Sequence, residues 1–310
     1  MLTKGEQMST EAKKNGYDRV ADQIIAALDA GTAPWRKPWV STGYVALSLS
    51  TKRAYRGVNQ MLMNFTAGAV GYESPWWGTY KQIAAQGGQI RKGEKGTYVV
   101  YFTMLEKSDP NDPDVTKKIP MLKGFTVFNA EQADWENGAP EYEKPEPRSE
   151  FDSIAEAEAV VARYVSEGGP SLHHGGDRAF YRPSNDEVHM PQREQFDGAA
   201  EYYSTLFHEL GHSTGHSSRL NRESVTQCAP FGSENYGREE LVAEFAAAFL
   251  CGATGVAPTT LANSAAYIAN WKQAIQNDPK CVVWAASRAQ KAADLVLGVV
   301  EAEATEPVAA

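Results

Sequence analysis

Apolar and polar positions alternate along the chain with helical period in some stretches and extended period in others. From Tyr17, apolar residues recur at Val20, Ile24, Ala27 and Leu28, the spacing of one helix face, and Gly31 closes the segment. A short apolar helix follows the basic loop within residues 51–65, and Lys81 to Gly87 reads as another, ended by Gly87-Gly88. Extended period appears at Thr97–Phe102 and again at Gly124–Asn129, with an acidic, proline-containing loop at 108–114 between them. Beyond residue 150 a helix is expected over Ile154–Ser166, then a turn at His173–Asp177. A hairpin follows, formed by Ala179–Pro183 and Asp186–Pro191 around Ser184-Asn185. Helices are then expected from an Asp197 N-cap to Gly215, over Arg238–Leu250, and over Leu261–Asn277 and Val282–Val300. Helices mixed with short strands, without regular strand–helix alternation, predict the α+β class.

Two of these helices carry chemistry on their polar faces. In the first, Tyr203, Leu206, Phe207 and Leu210 form the apolar stripe, while Thr205, His208 and His212 turn another way. His208-Glu209-Leu210-Gly211-His212 is an HExxH sequence. Its two imidazoles project one turn apart from one face and can converge on a single cation. Glu209 stands beside the first ligand, where its carboxylate can accept a proton from water polarised by that cation, so it is the candidate general base. In the second helix, Leu241, Val242, Phe245, Ala248 and Phe249 face inward, and Glu240 and Glu244 share the other face. Two carboxylates four residues apart repel unless a positive charge holds them. Glu240 is the expected third ligand and Glu244 the acceptor behind a ligand histidine; the reverse assignment, or ligation by Glu239, stays open. This pattern resembles the glutamate-ligated zincins. A third histidine of the metzincin type would fall at Ser218, and His216 is misplaced by two residues. The expected cofactor is one divalent ion, Zn2+ by default, with Mn2+ or another first-row ion also compatible with imidazole and carboxylate. His173, His174 and His189 are expected in loop or strand rather than as ligands.

Composition divides the chain in two. The net charge of -9 conceals 17 Lys and Arg against 13 Asp and Glu through Asp134, and 13 against 26 thereafter. All six histidines lie between 173 and 216, whereas five of the seven tryptophans lie by Trp135. The stretch 136–150, rich in Pro and Glu, has linker composition. The expected organisation is a first domain at 1–135, a linker at 136–150 and a second domain at 151–310, the two domains with separate cores. No run approaches the ~18 apolar residues of a membrane span, and no export signal is legible. Three cysteines without CxxC spacing, Cys228, Cys251 and Cys281, suit a reducing cytoplasm and a packing role.

The first half repeatedly places aromatic rings beside cations. Trp35, Arg36, Lys37 and Trp39 lie in a Pro-stiffened loop. Arg53 and Arg56 flank Tyr55, Trp76 and Trp77 are adjacent, and Arg91, Lys92 and Lys95 form a basic turn. Single-stranded nucleic acid calls for this combination, because bases stack on rings at about 1–3 kcal/mol each and cations track the phosphates. Apart from Tyr55, these residues are the candidate contacts, although some of the tryptophans must serve the core. No basic recognition helix suited to duplex DNA is visible.

Taken together, the motifs resemble the ArdC-type antirestriction proteins of conjugative plasmids. The matching stretches are Ile24–Leu28 with Gly31, Pro34–Trp39, Tyr55–Asn59, Arg91–Gly96 with Gly88, and Thr126–Asn129 with Gln132. In the second half they are Phe207–His212 with Thr214-Gly215 and Arg219-Leu220, and Glu239–Glu244. The resemblance implies an N-terminal domain that binds single-stranded DNA and a C-terminal zincin-like metallopeptidase domain. It also implies protection of incoming plasmid DNA from host restriction during conjugation, with an unidentified protein target, such as a host restriction component, as a further partner. The chain ends soon after the second domain, so the primase activity of longer relatives is not expected. Two other readings remain: a peptidase whose first half recognises protein, and a DNA-binding protein whose metal is purely structural.

Overall fold

A computed structural model describes residues 14–29, 44–109, 112–142, 150–226, 234–256 and 265–299. In the first half, α1 (Gly16–Asp29) precedes β1 (Leu47–Ser48), α2 (Gly57–Val70) and β2 (Trp76–Thr79). Then come α3 (Tyr80–Ala84), β3 (Gly88–Ile90), β4 (Thr97–Asp109), β5 (Asp112–Asn129) and β6 (Ala133–Trp135). The main sheet has the order β1-β2-β5-β4, parallel only between β1 and β2, and β3 pairs with β6. The strands expected at 97–102 and 124–129 are segments of one long hairpin, in which pairing runs from Thr97 opposite Val127 out to Asp109 opposite Asp112. Most of the acidic loop thus belongs to the paired strands. Its backbone pairs outward even where the sequence shows no alternation, because ladder hydrogen bonds do not require apolar residues.

The second half opens with α4 (Glu150–Ser166), β7 (Ser171–His174), β8 (Phe180–Arg182) and β9 (Glu187–Met190). β9 lies central, antiparallel to β8 and parallel to β7. His173 and His174, expected in a turn, end β7 instead. Next come α5 (Ala199–Ser213), α6 (Glu223–Thr226), α7 (Glu234–Thr254), α8 (Ala265–Asn277) and α9 (Lys280–Leu297). The N-cap of α5 is Gly198 rather than Asp197, and no side chain caps it. Among the described residues, no helix is long and apolar enough to cross a membrane. Cys251 and Cys281 are buried, as packing residues would be; Cys228 lies outside the described residues.

The expectation of separate cores is not met. One apolar cluster joins Val20, Ile24, Leu28, Met61 and Leu62 of α1 and α2 to Leu241, Phe245, Val282, Ala285 and Ala289 of α7 and α9. Polar links reinforce it: Lys272 pairs with Asp29 at 2.5 Å, and the Gly57 amide donates to Gln290 at 2.9 Å. A second cluster packs α4, α5 and β9 through Tyr164, Met190, Tyr203 and Phe207. A third seats Met63, Trp77, Val99 and Val127 between α2 and the main sheet.

Candidate functional site

The stripe of Tyr203, Leu206, Phe207 and Leu210 is buried, which turns the opposite side of α5 toward α7. The two helices approach so closely that a Cβ at Gly211 would stand 3.2 Å from the Ala243 Cα. That approach sets the distances between side chains on the facing polar edges. The Nε2 atoms of His208 and His212 lie 3.1 Å apart, and the two Glu240 oxygens lie 3.5 Å from each in turn. Among the described residues, these three form the one cluster of His, Cys, Asp and Glu whose ligand atoms converge. Ligands bonded at 2.0–2.1 Å to a tetrahedral ion are about 3.3 Å from one another, so the observed spacing matches that of neighbouring ligands. Two imidazole nitrogens this close cannot both present lone pairs without a proton or cation between them. The residues therefore fit a first-row divalent ion.

The electrostatics agree. Burial disfavours charge on His208 and His212, yet neighbouring carboxylates outweigh it, Glu240 at His208 and Glu239 with Glu240 at His212. Both imidazoles titrate above their ordinary value, His212 well above. Burial likewise opposes ionisation of Glu239 and Glu240, but the histidines overcome it at Glu240, and His212 with Arg222 hold Glu239 at about 2. The pocket is thus strongly anionic once the imidazoles lose their protons.

A carboxylate stands behind each imidazole. Glu244 Oε1 lies 3.5 Å from His208 Nδ1, close to the position expected of an acceptor, but the buried Nδ1 makes no hydrogen bond. Glu239, left open as a ligand, instead lies 3.4 Å from His212 Nδ1, with its oxygens held by Arg222 and Ser224. Glu239 was legible only as one of three acids in Glu239–Glu244. Arg222 was not legible at all, because it lies ten residues past His212 in a loop with no periodicity. Glu209 is buried beside the pair, and its charge acts on both imidazoles. Arg219 ties the segment after α5 to the hairpin: it donates to Asp186, whose carboxylate also accepts from Tyr181. His173, His189 and Phe180 stack across the three strands, with ring centroids 5.2 and 4.7 Å apart, and neither histidine is among the converging ligands.

The structure sorts the nucleic-acid candidates differently. Trp35, Arg36, Lys37 and Trp39 lie outside the described residues. Trp77 is 0% exposed and donates to the Tyr44 hydroxyl, so its ring is core and unavailable for stacking. Arg56 pairs with Asp294 of α9 and joins the two halves. Arg91 braces its own turn through the Glu131 carbonyl at 2.6 Å and Glu94 at 2.9 Å. Arg53, Lys92 and Lys95 are exposed. Trp76 is half-buried with the Lys52 ammonium 4.3 Å from its ring, a pair that the sequence did not single out.

A helix-borne HExxH with a glutamate from a second helix defines a zincin-type metal centre, joined here to a mixed α/β first half. Residues 156–288 match the zincin-like metallopeptidase family MPTase-PolyVal, and residues 14–128 match the N-terminal domain of anti-restriction factor ArdC. The metal-free crystal structure of antirestriction ArdC protein from R388 plasmid is 40% identical, covers 90% of this chain and 96% of that one, and superposes with a TM-score of 0.72. Its Mn(II)-bound form is 38% identical with the same TM-score, covering 92% of this chain and 98% of that one. An uncharacterized protein, y4eC of Sinorhizobium fredii, is 36% identical over 90% of both chains. DNA primase TraC of Escherichia coli is 39% identical over 93% of this chain, which spans 27% of that protein's length. The chain belongs to the ArdC family of antirestriction proteins.

Proposed function

We propose that this protein binds one divalent ion through His208, His212 and Glu240, binds single-stranded DNA through its first half, and protects incoming plasmid DNA from restriction during conjugation. The observation that carries the metal reading is the convergence of three ligand atoms at 3.1–3.5 Å on two helices in contact. A bound ion would supply Lewis acidity toward a carbonyl and toward water. The chain's own residues supply the rest: Glu209 takes the proton, and Glu239 and Glu244 orient the imidazoles. This gives a peptidase-competent site. DNA binding draws support from family membership and from the exposed cations Arg53, Lys92 and Lys95, with the Lys52–Trp76 pair on the same half. Hydrolysis is not required for DNA binding in this reading, because the ligands belong to α5 and α7 whereas the DNA candidates belong to the first half.

The test is Glu209→Ala in the full chain, which removes the base but no ligand. Metal content, fold and affinity for a single-stranded oligonucleotide should be retained, and conjugation into a restricting host then reports whether hydrolysis serves protection. Loss of metal or fold would refute this division of roles. Affinity for single strands should fall with salt on a log–log slope of about -0.7 per phosphate neutralised; no binding, or salt-independent binding, would refute the DNA reading.

A further inference from the structure

Behind the ligand histidine at the end of α5 lies a buried cation. Arg222 is 7% exposed and sits in the segment after α5, where nothing in the sequence suggested a role. Its guanidinium takes both Glu239 oxygens, at 3.0 and 2.5 Å. It also donates to the Thr214 hydroxyl at 2.6 Å, to the Gly211 carbonyl at 2.8 Å and to the His212 carbonyl at 3.3 Å. Glu239 in turn accepts from Ser224 at 2.6 Å and stands 3.4 Å from His212 Nδ1. One fork thus grips the last turn of the HExxH helix, the loop beyond it and the residue preceding Glu240. The fit is tight: a Cβ at Gly215 would lie 3.0 Å from the guanidinium carbon.

We propose that Arg222 and Glu239 are positioning residues for the metal centre, fixing the His212 ring so that its Nε2 faces the ion, and thereby set the affinity for metal. A carboxylate fixed by a bidentate arginine cannot swing, and an imidazole bonded to it through Nδ1 keeps Nε2 free as a donor atom. Lysine cannot replace this arrangement, because an ammonium lacks the planar fork. The same clamp places Glu240, the next residue on α7, at a fixed distance from both imidazoles. This inference rests on the metal reading above.

The experiment is a Zn2+ titration against a competing chelator dye on the full chain, with the thermal midpoint of the metal-free protein measured in parallel. Glu239→Gln should weaken Zn2+ binding about tenfold or more, the range found when the outer partner of a ligand histidine is lost. That variant also strands the Arg222 charge, so the deciding form is Arg222→Met combined with Glu239→Gln, which removes both charges of the clamp. If the clamp positions His212, the double variant recovers thermal stability while its affinity stays at least tenfold below that of the native protein. Native affinity in a folded double variant would overturn the proposal. Should the double variant not fold, Arg222→Lys decides: it keeps the charge, and an unchanged affinity would overturn the proposal whereas a severalfold loss supports it. Failure of the native protein to bind Zn2+ would instead overturn the metal reading itself.

Discussion

At the scale of single residues, the metal site is a contest between protons and a cation. The folded, metal-free protein holds His208 and His212 above their ordinary imidazole value, because carboxylates outweigh burial. A raised histidine stabilises the fold fully below its unfolded value of about 6.5, and that support is lost as pH rises through the folded value. The depressed carboxylates act in the opposite sense: the contribution of Glu239 is present above about 4.5 and fades as pH falls toward about 2. Metal must displace the imidazole protons. The rise in thermal midpoint on adding Zn2+ should therefore be larger at pH 8 than at pH 6, with protons released in calorimetry across buffers of different ionisation enthalpy. Equal rises at both pH values would contradict the proton competition. The two acids of α7 should also separate by role. Glu240→Ala is expected to abolish stoichiometric binding, whereas Glu244→Gln should weaken it about 10–100-fold, both read by metal analysis and dye competition. The histidines and Glu209 were legible because helical spacing alone places them. Glu240 was the expected ligand, but Glu239 stayed open beside it, since a shift of one position turns a side chain by about 100° and the outcome depends on how α7 rolls against α5.

At the scale of elements, the pair α5 and α7 is the scaffold. Their contact depends on Gly211, where a Cβ would meet the Ala243 oxygen and the Ala246 Cβ at 3.3 Å. Gly211→Ala gains helix propensity of about 1 kcal/mol but forces the helices apart, and overpacking of this kind costs about 1–3 kcal/mol. The expected result is no net gain in stability together with weaker Zn2+ binding, because Glu240 retreats from both histidines. A more stable variant with unchanged affinity would show that the contact does not set ligand spacing. Most helices were legible from their apolar faces, α1 from Val20, Ile24 and Leu28 and α5 from its Tyr203–Leu210 stripe. The outer part of the β4–β5 hairpin was not, because Asp109-Pro110-Asn111-Asp112-Pro113 carries loop chemistry and the flanking residues show no period of two. Trp76 and Trp77 illustrate the same limit: adjacent on β2, they point to opposite faces, and only register with β5 decides which is buried.

At the scale of the molecule, the charge asymmetry and the Pro/Glu-rich stretch divide the chain chemically, but the core does not follow that division. Ile24, Leu62 and Val282 belong to one cluster. Their burial against each other was illegible because an amphipathic face names no partner. Unfolding should therefore be a single transition, with tryptophan fluorescence and helix content changing together, and Leu62→Ala should cost about 2–5 kcal/mol and lower both signals equally. Two separated transitions would contradict a shared core. Residues 1–135 produced alone should expose the faces of α1 and α2 and bind hydrophobic dyes.

His208, His212 and Glu240, and no other acid, are expected to hold the ion. Anomalous diffraction from crystals of the full chain grown with Mn2+ or Zn2+ tests it most directly. One strong peak is expected within about 2.0–2.2 Å of both Nε2 atoms and a Glu240 oxygen. A peak bonded to Glu239 or Glu244 in place of Glu240, or no peak between α5 and α7, would contradict the account.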